Sequence, residues 1–538
     1  MGSNDSAYVL SGPEEDYDIP KESLGKYIFR CLKSRDPNSI VNVDPISKEV
    51  LTAGKLLGDS IKLTKIFQKL SIEKGDAIAI VSENTLTYCV PIIAAFYMGV
   101  TVAPLNPAYM KYELIHALGL SKPKLIICTK TSLDEVLKAK KDLDYVETVL
   151  LTGSECKDNP EIKTLENLLK ATTTDLENFE PEYFDSSEQT AFVYLSSGTT
   201  GFPKGVMTSH ENLRAPLSYF RREPYNILTS EDATVLVLPF FHMFGILIQL
   251  LGIVSSMKII FMAKFKPEVF LQSIQDYKVT KLFLVPPLVL FLAKSPLVKS
   301  YDVSSIQDIM VGAAPTGKEL QEDAAKRLNA TIRQMYGLTE TTGACTAETT
   351  VLHRPGSVGV LVPGIKAKVC HPLTRKILGP LEIGELCFKG SMIMKGYAGD
   401  KTATDACIDE DGFCHTGDIG YYDEDNYFYV VDRMKELIKY KGFQVAPAEL
   451  EALIVTHPNV KDCGVTGIPD ERCGQLPFAF VVRQNGANLT EKQIVDFVAE
   501  RISGQKHLSG GARFVEEIPK TASGKILRRK LLELWKTS

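Results

Sequence analysis

Several common signatures are missing from this chain of 538 residues. Its eleven cysteines form no C-x-x-C pair and show no paired Cys/His spacing, so neither a zinc site nor a disulfide framework is indicated. No G-x-G-x-x-G and no G-x-x-x-x-G-K-[ST] motif occurs, which excludes the usual dinucleotide and NTPase fingerprints. Lysine and arginine total 61 against 66 acidic residues, without a long block of one sign. This balance argues against a broad nucleic-acid-binding face.

No secretory signal and no membrane span are predicted. Residues 11–20 are acidic and flanked by proline, and they lack the basic-then-apolar order of a signal peptide. Residues 233–257 carry no Lys, Arg, Asp or Glu and are long enough to cross a bilayer. However, Pro239, His242 and Gln249 interrupt this stretch, and its first part favours a strand. We therefore predict a buried strand, a turn and a buried helix there.

The chain does contain a loop rich in glycine and hydroxyl groups, which directly follows the apolar run Ala191 to Leu195. Its residues are Ser196, Ser197, Gly198, Thr199, Thr200, Gly201, Phe202, Pro203, Lys204 and Gly205. Glycines allow backbone N–H groups to converge on an anion, while the hydroxyls add donors and the lysine adds charge. The apolar run predicts a buried strand that leads into a phosphate-binding loop. A flexible linker is the alternative, but a linker seldom needs a Pro-Lys-Gly exit.

Apolar β-rich runs alternate with helical patterns, and this alternation predicts an α/β fold with mixed sheets and crossover helices. The runs are Ala77–Val81, Leu125–Cys128, Thr148–Leu151, 282–285 and 306–311. Residues 421–433 predict two strands around a polar turn, and Pro447 opens a helix. The chain is longer than a single hydrophobic core usually supports, so more than one domain is expected. We predict a large, subdivided N-terminal domain (1–431) and a small α+β C-terminal domain (432–538), with a hinge near 432–435.

Four more clusters follow the loop, and their order along the chain makes them informative. They are Tyr336-Gly-Leu-Thr-Glu-Thr341, Thr416-Gly-Asp418, Asp432-Arg433 with Lys439-Tyr-Lys-Gly442, and Thr521-Ala-Ser-Gly-Lys525. From about Gly12 to Leu532 this pattern resembles the adenylate-forming enzymes: acyl- and aryl-CoA ligases such as 4-coumarate:CoA ligase, beetle luciferases, and peptide-synthetase adenylation domains. The resemblance is closest to insect luciferase-like acyl-CoA ligases.

The resemblance implies the cofactors ATP, Mg²⁺ and coenzyme A. In it, the loop and Lys204 hold the phosphates of ATP, Thr339 contacts the α-phosphate, Glu340 binds magnesium, and Asp418 accepts hydrogen bonds from the ribose. A carboxylate can accept hydrogen bonds from ribose hydroxyls and can also bind magnesium, so Asp418 and Glu340 suit these roles. Taken alone, Asp418 could be a turn residue between two glycines. The other nucleotide-binding positions that the resemblance implies are Gly312, Ala313, Ala314, Tyr336, Gly337 and Arg433.

Three catalytic positions follow from the same resemblance. Lys525 bridges the attacking carboxylate and the α-phosphate in the first half-reaction, although taken alone it would be a solvated surface charge. In the second half-reaction the mobile C-terminal domain rotates about its hinge and brings Lys439 and the turn at Lys441 toward the thiol substrate. His242 closes the acid pocket beside the carboxylate, whereas its sequence context equally fits a core histidine.

The acid-binding pocket is predicted to be apolar and roomy, because small residues leave space and aromatic residues surround it. Its residues are Arg222, Phe244, Gly312, Gly337, Gly343 and Ala344. An apolar acyl chain or an aryl acid would fit such a pocket.

The function that these features favour is an ATP-dependent acyl-CoA ligase acting on a small-molecule carboxylic acid. A luciferase is the nearest alternative, but Gly343 stands where beetle luciferases usually have serine. A peptide-synthetase module lacks its carrier domain here, and a non-enzymatic acyl-binding protein would not need these ionisable residues. We expect no nucleic-acid partner and a monomer, although the sequence leaves the oligomeric state open. The chain ends in Lys-Thr-Ser rather than the peroxisomal Ser-Lys-Leu, so cytosol is the default expectation, with the peroxisome also open.

Overall fold

The computed structural model describes residues 8–153, 159–196, 203–226, 228–441, 443–521 and 524–537. Its helices are α1 (Leu24–Ser34), α2 (Ala53–Lys69), α3 (Cys89–Met98), α4 (Lys111–Ser121), α5 (Lys130–Lys140), α6 (Leu165–Ala171), α7 (His210–Tyr219), α8 (Met243–Ser255), α9 (Pro267–Tyr277), α10 (Pro286–Lys294), α11 (Lys318–Leu328), α12 (Lys401–Cys407), α13 (Pro447–Ile454), α14 (Glu491–Ala499) and α15 (Arg528–Lys536). Its strands are β1 (Leu10–Ser11), β2 (Ile40–Val43), β3 (Val50–Thr52), β4 (Ala77–Val81), β5 (Thr101–Leu105), β6 (Leu125–Cys128), β7 (Thr148–Leu151), β8 (Thr190–Ser196), β9 (Lys204–Ser209), β10 (Ala233–Leu236), β11 (Lys258–Phe261), β12 (Lys281–Leu284), β13 (Asp308–Val311), β14 (Thr331–Leu338), β15 (Gly343–Ala347), β16 (Val360–Leu361), β17 (Lys366–Cys370), β18 (Ile377–Leu378), β19 (Gly384–Lys389), β20 (Gly396–Tyr397), β21 (Cys414–Tyr422), β22 (Phe428–Arg433), β23 (Ile438–Tyr440), β24 (Phe443–Val445), β25 (Val460–Asp470), β26 (Gly474–Arg483) and β27 (Gly511–Phe514).

Two largely parallel sheets form the framework of the N-terminal part. One has the strand order β20-β9-β8-β5-β4-β6-β7, and the other has the order β12-β13-β14-β15-β16. Strands β8, β5, β4, β6 and β7 are parallel, as are β12 to β14. Crossover helix α3, which connects two of these strands, is buried along its whole length. The α/β prediction is confirmed, and each apolar run identified in the sequence is a strand to within two residues.

The long uncharged stretch is β10 followed by α8, as predicted. A third sheet, of order β10-β11-β2-β3, contains the strand, and the helix packs its apolar residues into the main core. Among the residues that the structure describes, no helix is both long and apolar enough to cross a membrane.

An antiparallel sheet ends the N-terminal part, and a separate sheet begins the C-terminal part. The first has the order β1-β17-β19-β21-β22, with β18 beside β17. The second has the order β24-β23-β26-β25, with β27 beside β26, and has a small hydrophobic core on each face. Strand β22 ends at Arg433 and β23 begins at Ile438, so the predicted hinge at 432–435 falls at this connection. The large and small α/β parts agree with the predicted architecture, and Pro447 does open helix α13.

Direct contacts fix the position of the C-terminal part in this structure. A Cβ added at Gly317, just before α11, would lie 3.1 Å from Ala452 of α13. A Cβ added at Gly524 would lie 3.4 Å from Val285. The turn before Lys525 is therefore docked on the N-terminal part near the end of β12.

Candidate active site

The predicted phosphate loop joins two antiparallel strands. Strand β8 is buried over four consecutive residues, and its last residue, Ser196, pairs with Lys204 at the start of β9. The strand-to-loop prediction is thus confirmed. Ser197, Gly198, Thr199, Thr200 and Gly201 lie outside the described residues, and their contact with phosphate stays a prediction.

Tyr397 connects the end of this loop to the candidate magnesium ligand. The Lys204 ammonium lies 4.7 Å from the centroid of the Tyr397 ring, and the Tyr397 hydroxyl donates a 3.0 Å hydrogen bond to Glu340 Oε1. Strand β20 holds the tyrosine by pairing with β9, where Tyr397 faces Val206. Sequence reasoning missed Tyr397, because it is far from Glu340 in the chain and belongs to none of the clusters.

A tight backbone turn positions Thr339 and Glu340 between β14 and β15. The Thr341 hydroxyl accepts a 2.8 Å hydrogen bond from the Leu338 N–H, and a Cβ at Gly337 would lie only 1.9 Å from the Gly343 carbonyl oxygen. Only glycine therefore allows the two strands to approach this closely at Gly337. The approach fixes Glu340 in the turn just after β14, where Tyr397 of β20 reaches it.

Asp418 is buried at the meeting point of two sheets. Its carboxylate accepts a 2.8 Å hydrogen bond from the Tyr336 hydroxyl, and its Oδ1 lies 3.5 Å from Nε of Arg433, the facing residue on β22. Burial raises the pKa of Asp418, while Arg433, Tyr336 and Lys525 oppose that rise.

Lys525 comes from the C-terminal part and is buried at this same site. Burial is the largest effect and lowers the pKa of its ammonium, and the nearby Arg433 lowers it further. The carboxylates of Asp418 and Glu340 act in the opposite direction. Its backbone is fixed by a 3.1 Å hydrogen bond from its N–H to the Thr521 hydroxyl. The structure therefore brings together four predicted residues from three distant segments.

His242 lies at the start of helix α8, close enough to Lys525 to be affected by its charge. Burial lowers the pKa of His242 to about 4, and the positive charge of Lys525 adds to the effect. The imidazole is consequently neutral at physiological pH. A neutral ring beside the lysine can donate or accept a hydrogen bond without repelling the ammonium.

Most of the predicted pocket residues lie among apolar side chains, whereas Arg222 contacts the N-terminal segment. A Cβ at Gly312 would lie 3.4 Å from the Phe244 ring, and a Cβ at Gly343 would lie 3.4–3.5 Å from Pro216, Leu247 and Met392. Ala344 is buried. Of the predicted nucleotide-binding residues that follow Gly312, Ala314 is partly buried and Ala313 has a φ of 72°, the left-handed region that favours glycine.

Arg222 has a different environment. Its guanidinium contacts the Asp16 carbonyl oxygen and lies 4.0 Å from the Asp18 carboxylate, so the N-terminal segment neutralises it. A place for Arg222 in the acid pocket stays a prediction.

Lys439 is exposed, in contrast to Lys525. It lies in β23, and its N–H donates a 2.8 Å hydrogen bond to the Gln475 side chain. Within the described ranges, no side-chain hydrogen bond or ion pair joins Lys439 to Asp418, Glu340 or Lys525. The two predicted catalytic lysines therefore occupy different environments of one small domain in this structure.

One cluster outside this site has a donor set that suits a metal ion. One donor atom each of Glu385, Cys387 and His415 lie within 4.8 Å of one another. The Arg375 guanidinium contacts the Glu385 carboxylate and lies 2.9 Å from His415 Nδ1. This cation neutralises the buried carboxylate, so we interpret the cluster as an ion-pair network and not as a metal site.

Comparisons with known proteins match both parts of the chain. The model of the AMP-binding enzyme family matches residues 33–398, and the model of the AMP-binding enzyme C-terminal domain matches residues 449–525. Luciferin 4-monooxygenase of Photuris pensylvanica is 42% identical over 98% of both chains. 4-Coumarate–CoA ligase 1 of Petroselinum crispum is 38% identical over 96% of this chain and 95% of its own. The crystal structure of ATP-bound MatB from Rhodopseudomonas palustris superposes with a TM-score of 0.84 at 25% identity, covering 95% of this chain and 99% of the other.

Proposed function

Because this chain belongs to the AMP-binding enzyme family, we propose that it is an ATP-dependent acyl-CoA ligase for a fatty or aryl carboxylic acid. The acid first attacks the α-phosphorus of ATP, which gives an acyl-adenylate and releases pyrophosphate. The thiol of coenzyme A then attacks the acyl carbon, which gives the thioester and releases AMP. The order of sequence motifs predicted this family, and its members include the CoA ligases and luciferases that this chain resembles.

The observation that carries the proposal is the burial of Lys525 among Asp418, Glu340 and Arg433. A lysine pays a desolvation cost in such a place, and that cost is offset when an anion occupies the site. An acid carboxylate and an α-phosphate are such anions. The flexible ammonium can follow the negative charge as it moves between them in the transition state.

The same geometry supports the remaining nucleotide contacts that we propose. Asp418 is a buried acceptor suited to ribose hydroxyls, and Tyr336 holds its orientation. Glu340 fits a magnesium ion, because Tyr397 binds only its Oε1 and a second carboxylate oxygen remains for a hard cation. Magnesium would neutralise phosphate charge there. The loop from Ser196 to Lys204 would hold the terminal phosphates.

For the second half-reaction we propose that the C-terminal domain rotates about residues 432–435. The rotation would remove Lys525 and bring Lys439 and the Lys441 turn toward the acyl-adenylate. The exposure of Lys439 and the left-handed backbone of Lys441 (φ 48°) support a turn that presents new contacts after rotation.

AMP formation across a panel of acids tests the proposal. The purified chain is given ATP, magnesium and coenzyme A with fatty acids of several lengths, cinnamic-type acids and luciferin. AMP and thioester formed in equal amounts with a fatty or cinnamic-type acid would support the ligase. Failure with every acid, or AMP without thioester, would contradict it.

Luciferase activity is the second candidate, favoured by the 42% identity to a luciferin 4-monooxygenase. Gly343 argues against it, because that position offers no side-chain hydroxyl to a bound luciferin. Photons above background with luciferin, ATP and oxygen would support it as a side activity. Cytosol or peroxisome remains the proposed compartment.

A further inference from the structure

Two cysteines form a close pair next to the nucleotide site. Cys407 ends helix α12 and Cys414 begins β21, and their sulfur atoms lie 3.6 Å apart. Ile408 pairs with Cys414 as an antiparallel bridge, which fixes the backbone on both sides. Cys414 is buried, whereas Cys407 is partly exposed. The two thiols are therefore held in contact, with one of them accessible to a small oxidant.

The geometry suits a disulfide. A bonded S–S pair is about 2.05 Å apart, so the sulfurs must approach by about 1.5 Å. Rotation about the Cα–Cβ bonds provides a movement of this size without a change of backbone register. The two sulfurs are already in hydrogen-bond contact with each other.

The surroundings select Cys407 as the reactive thiol. Its sulfur can accept hydrogen bonds from the Cys414 thiol and from the Tyr397 hydroxyl, which is 3.8 Å away. The Cys414 contact is the larger effect and lowers the pKa of Cys407, with Tyr397 acting in the same direction against burial. The same contact raises the pKa of Cys414. Because the thiolate and not the thiol is the nucleophile, Cys407 should react with an oxidant before Cys414 does.

The pair also touches the magnesium and ATP residues through Tyr397. The tyrosine hydroxyl has a single proton, and its other neighbour is Glu340 Oε1 at 3.0 Å. Its backbone is tied to the same helix, because the Tyr397 N–H donates a 2.9 Å hydrogen bond to the Thr404 hydroxyl of α12. Turning the Cys407 sulfur toward Cys414 therefore changes its contact with the Tyr397 hydroxyl, the same group that holds Glu340.

We propose that Cys407 and Cys414 are a reversible disulfide site, oxidised by hydrogen peroxide, whose closure weakens magnesium–ATP binding through Tyr397. The effect on ATP rests on the proposed function, whereas the formation of the disulfide does not. The thiolate of Cys407 attacks one oxygen of peroxide, the O–O bond breaks, and the hydroxide released takes a proton to become water. The Cys414 thiol then attacks the sulfenic sulfur of Cys407, the S–O bond breaks, and the hydroxide leaves with the Cys414 proton as a second water. Two thiols lose two electrons and peroxide gains them.

The sequence offers a direct readout of the disulfide. Both cysteines fall in a single tryptic peptide, residues 402–433, which contains no other cysteine. An internal disulfide makes this peptide lighter by two hydrogens and resistant to alkylation, whereas a bond to another cysteine changes its partner and mass. Mass spectrometry of the peroxide-treated full chain therefore identifies the pair independently of enzyme activity.

The functional readout is the dissociation constant of magnesium–ATP, measured by calorimetry before oxidation, after oxidation and after reduction with a dithiol. We expect oxidation to weaken ATP binding about five-fold, which corresponds to the loss of one ordinary hydrogen bond, and reduction to restore it. Cys414→Ser should abolish both the lighter peptide and the reversible change. Cys473→Ser, in the C-terminal domain, is the matched control and should keep both.

Each outcome decides the proposal. A lighter peptide together with reversibly weakened ATP binding supports it. Absence of the lighter peptide overturns the disulfide, and a lighter peptide with unchanged ATP binding overturns the link through Tyr397. If the chain made no AMP with any acid, the proposed function would fail while the peptide mass would still report the disulfide.

Discussion

The Tyr336 hydroxyl donates a 2.8 Å hydrogen bond to Asp418, and this bond joins the β12–β16 sheet to the antiparallel sheet of β21 and β22. Tyr336 belongs to the same strand end that leads to Glu340, while Asp418 faces Arg433 at the edge of the predicted hinge. The residues predicted to bind the nucleotide are thus positioned by the contact between two sheets, and Lys525 joins them from a third segment.

Replacing Asp418 is expected to weaken ATP binding most. Asp418→Asn keeps the size of the side chain but loses a charged acceptor, which is worth about 1.5–3 kcal/mol. We expect KM for ATP to rise about 10- to 150-fold, with KM for the acid little changed. Tyr336→Phe removes only the neutral donor and should raise KM for ATP about 2- to 10-fold. Steady-state kinetics at varied ATP checks both values, and a larger effect for Tyr336→Phe would contradict the assigned roles.

Gly343 is expected to set the space available to the acid. Its φ of 138° is unfavourable for other residues, and a side chain there would meet Pro216, Leu247 and Met392. Gly343→Ser should therefore raise KM for the larger acids of the panel while leaving KM for ATP within about two-fold. Gly486→Ser is the control for backbone strain alone, because it has a φ of 75° and open space around it. Equal losses for small and large acids would rule out a pocket role.

As the pH rises, the first half-reaction is expected to lose activity at a lower pH than it would with an ordinary, exposed lysine. Burial and Arg433 lower the pKa of Lys525, so its ammonium loses its proton earlier as the pH rises. The kcat/KM for adenylate formation reports the free enzyme and should decline through that lowered pKa. Charged Lys525 also destabilises the folded state, because it is buried. The free energy of unfolding should therefore rise with pH from the lowered pKa of Lys525 up to the ordinary pKa of a lysine. A profile that is flat up to the range of exposed lysines would contradict the burial effect.

Much of the fold could be predicted from local patterns. The apolar runs gave the parallel strands, because buried parallel strands need continuous apolar residues. The Gly- and Ser-rich loop could be placed after β8, because it directly follows the apolar run Ala191 to Leu195. Pro447 and the polar turn between β21 and β22 marked element ends through their backbone preferences alone.

The rest of the site depends on contacts between distant segments. Tyr397 reaches Glu340 only because β20 pairs with β9, and a short Gly-Tyr strand has no distinctive pattern. The contact of Cys407 with Cys414 requires a helix end and a strand start to meet, although the cysteine spacing had suggested no disulfide. The charge of Lys525 looked like a surface charge by itself, and its burial comes from docking of the whole C-terminal part. Such long-range packing cannot be deduced from periodicity.

The two lysines provide the most direct test of the central claim, that one small domain serves both half-reactions. Lys525→Ala and Lys439→Ala are each measured in two separate assays: acyl-adenylate formation from acid and ATP, and thioester formation from supplied acyl-adenylate and coenzyme A. We expect Lys525→Ala to lose adenylate formation by 100-fold or more, on the order of 3 kcal/mol of transition-state stabilisation, and to keep thioester formation. Lys439→Ala should show the reverse. Equal losses of both steps in both variants would contradict the two-state account of the domain.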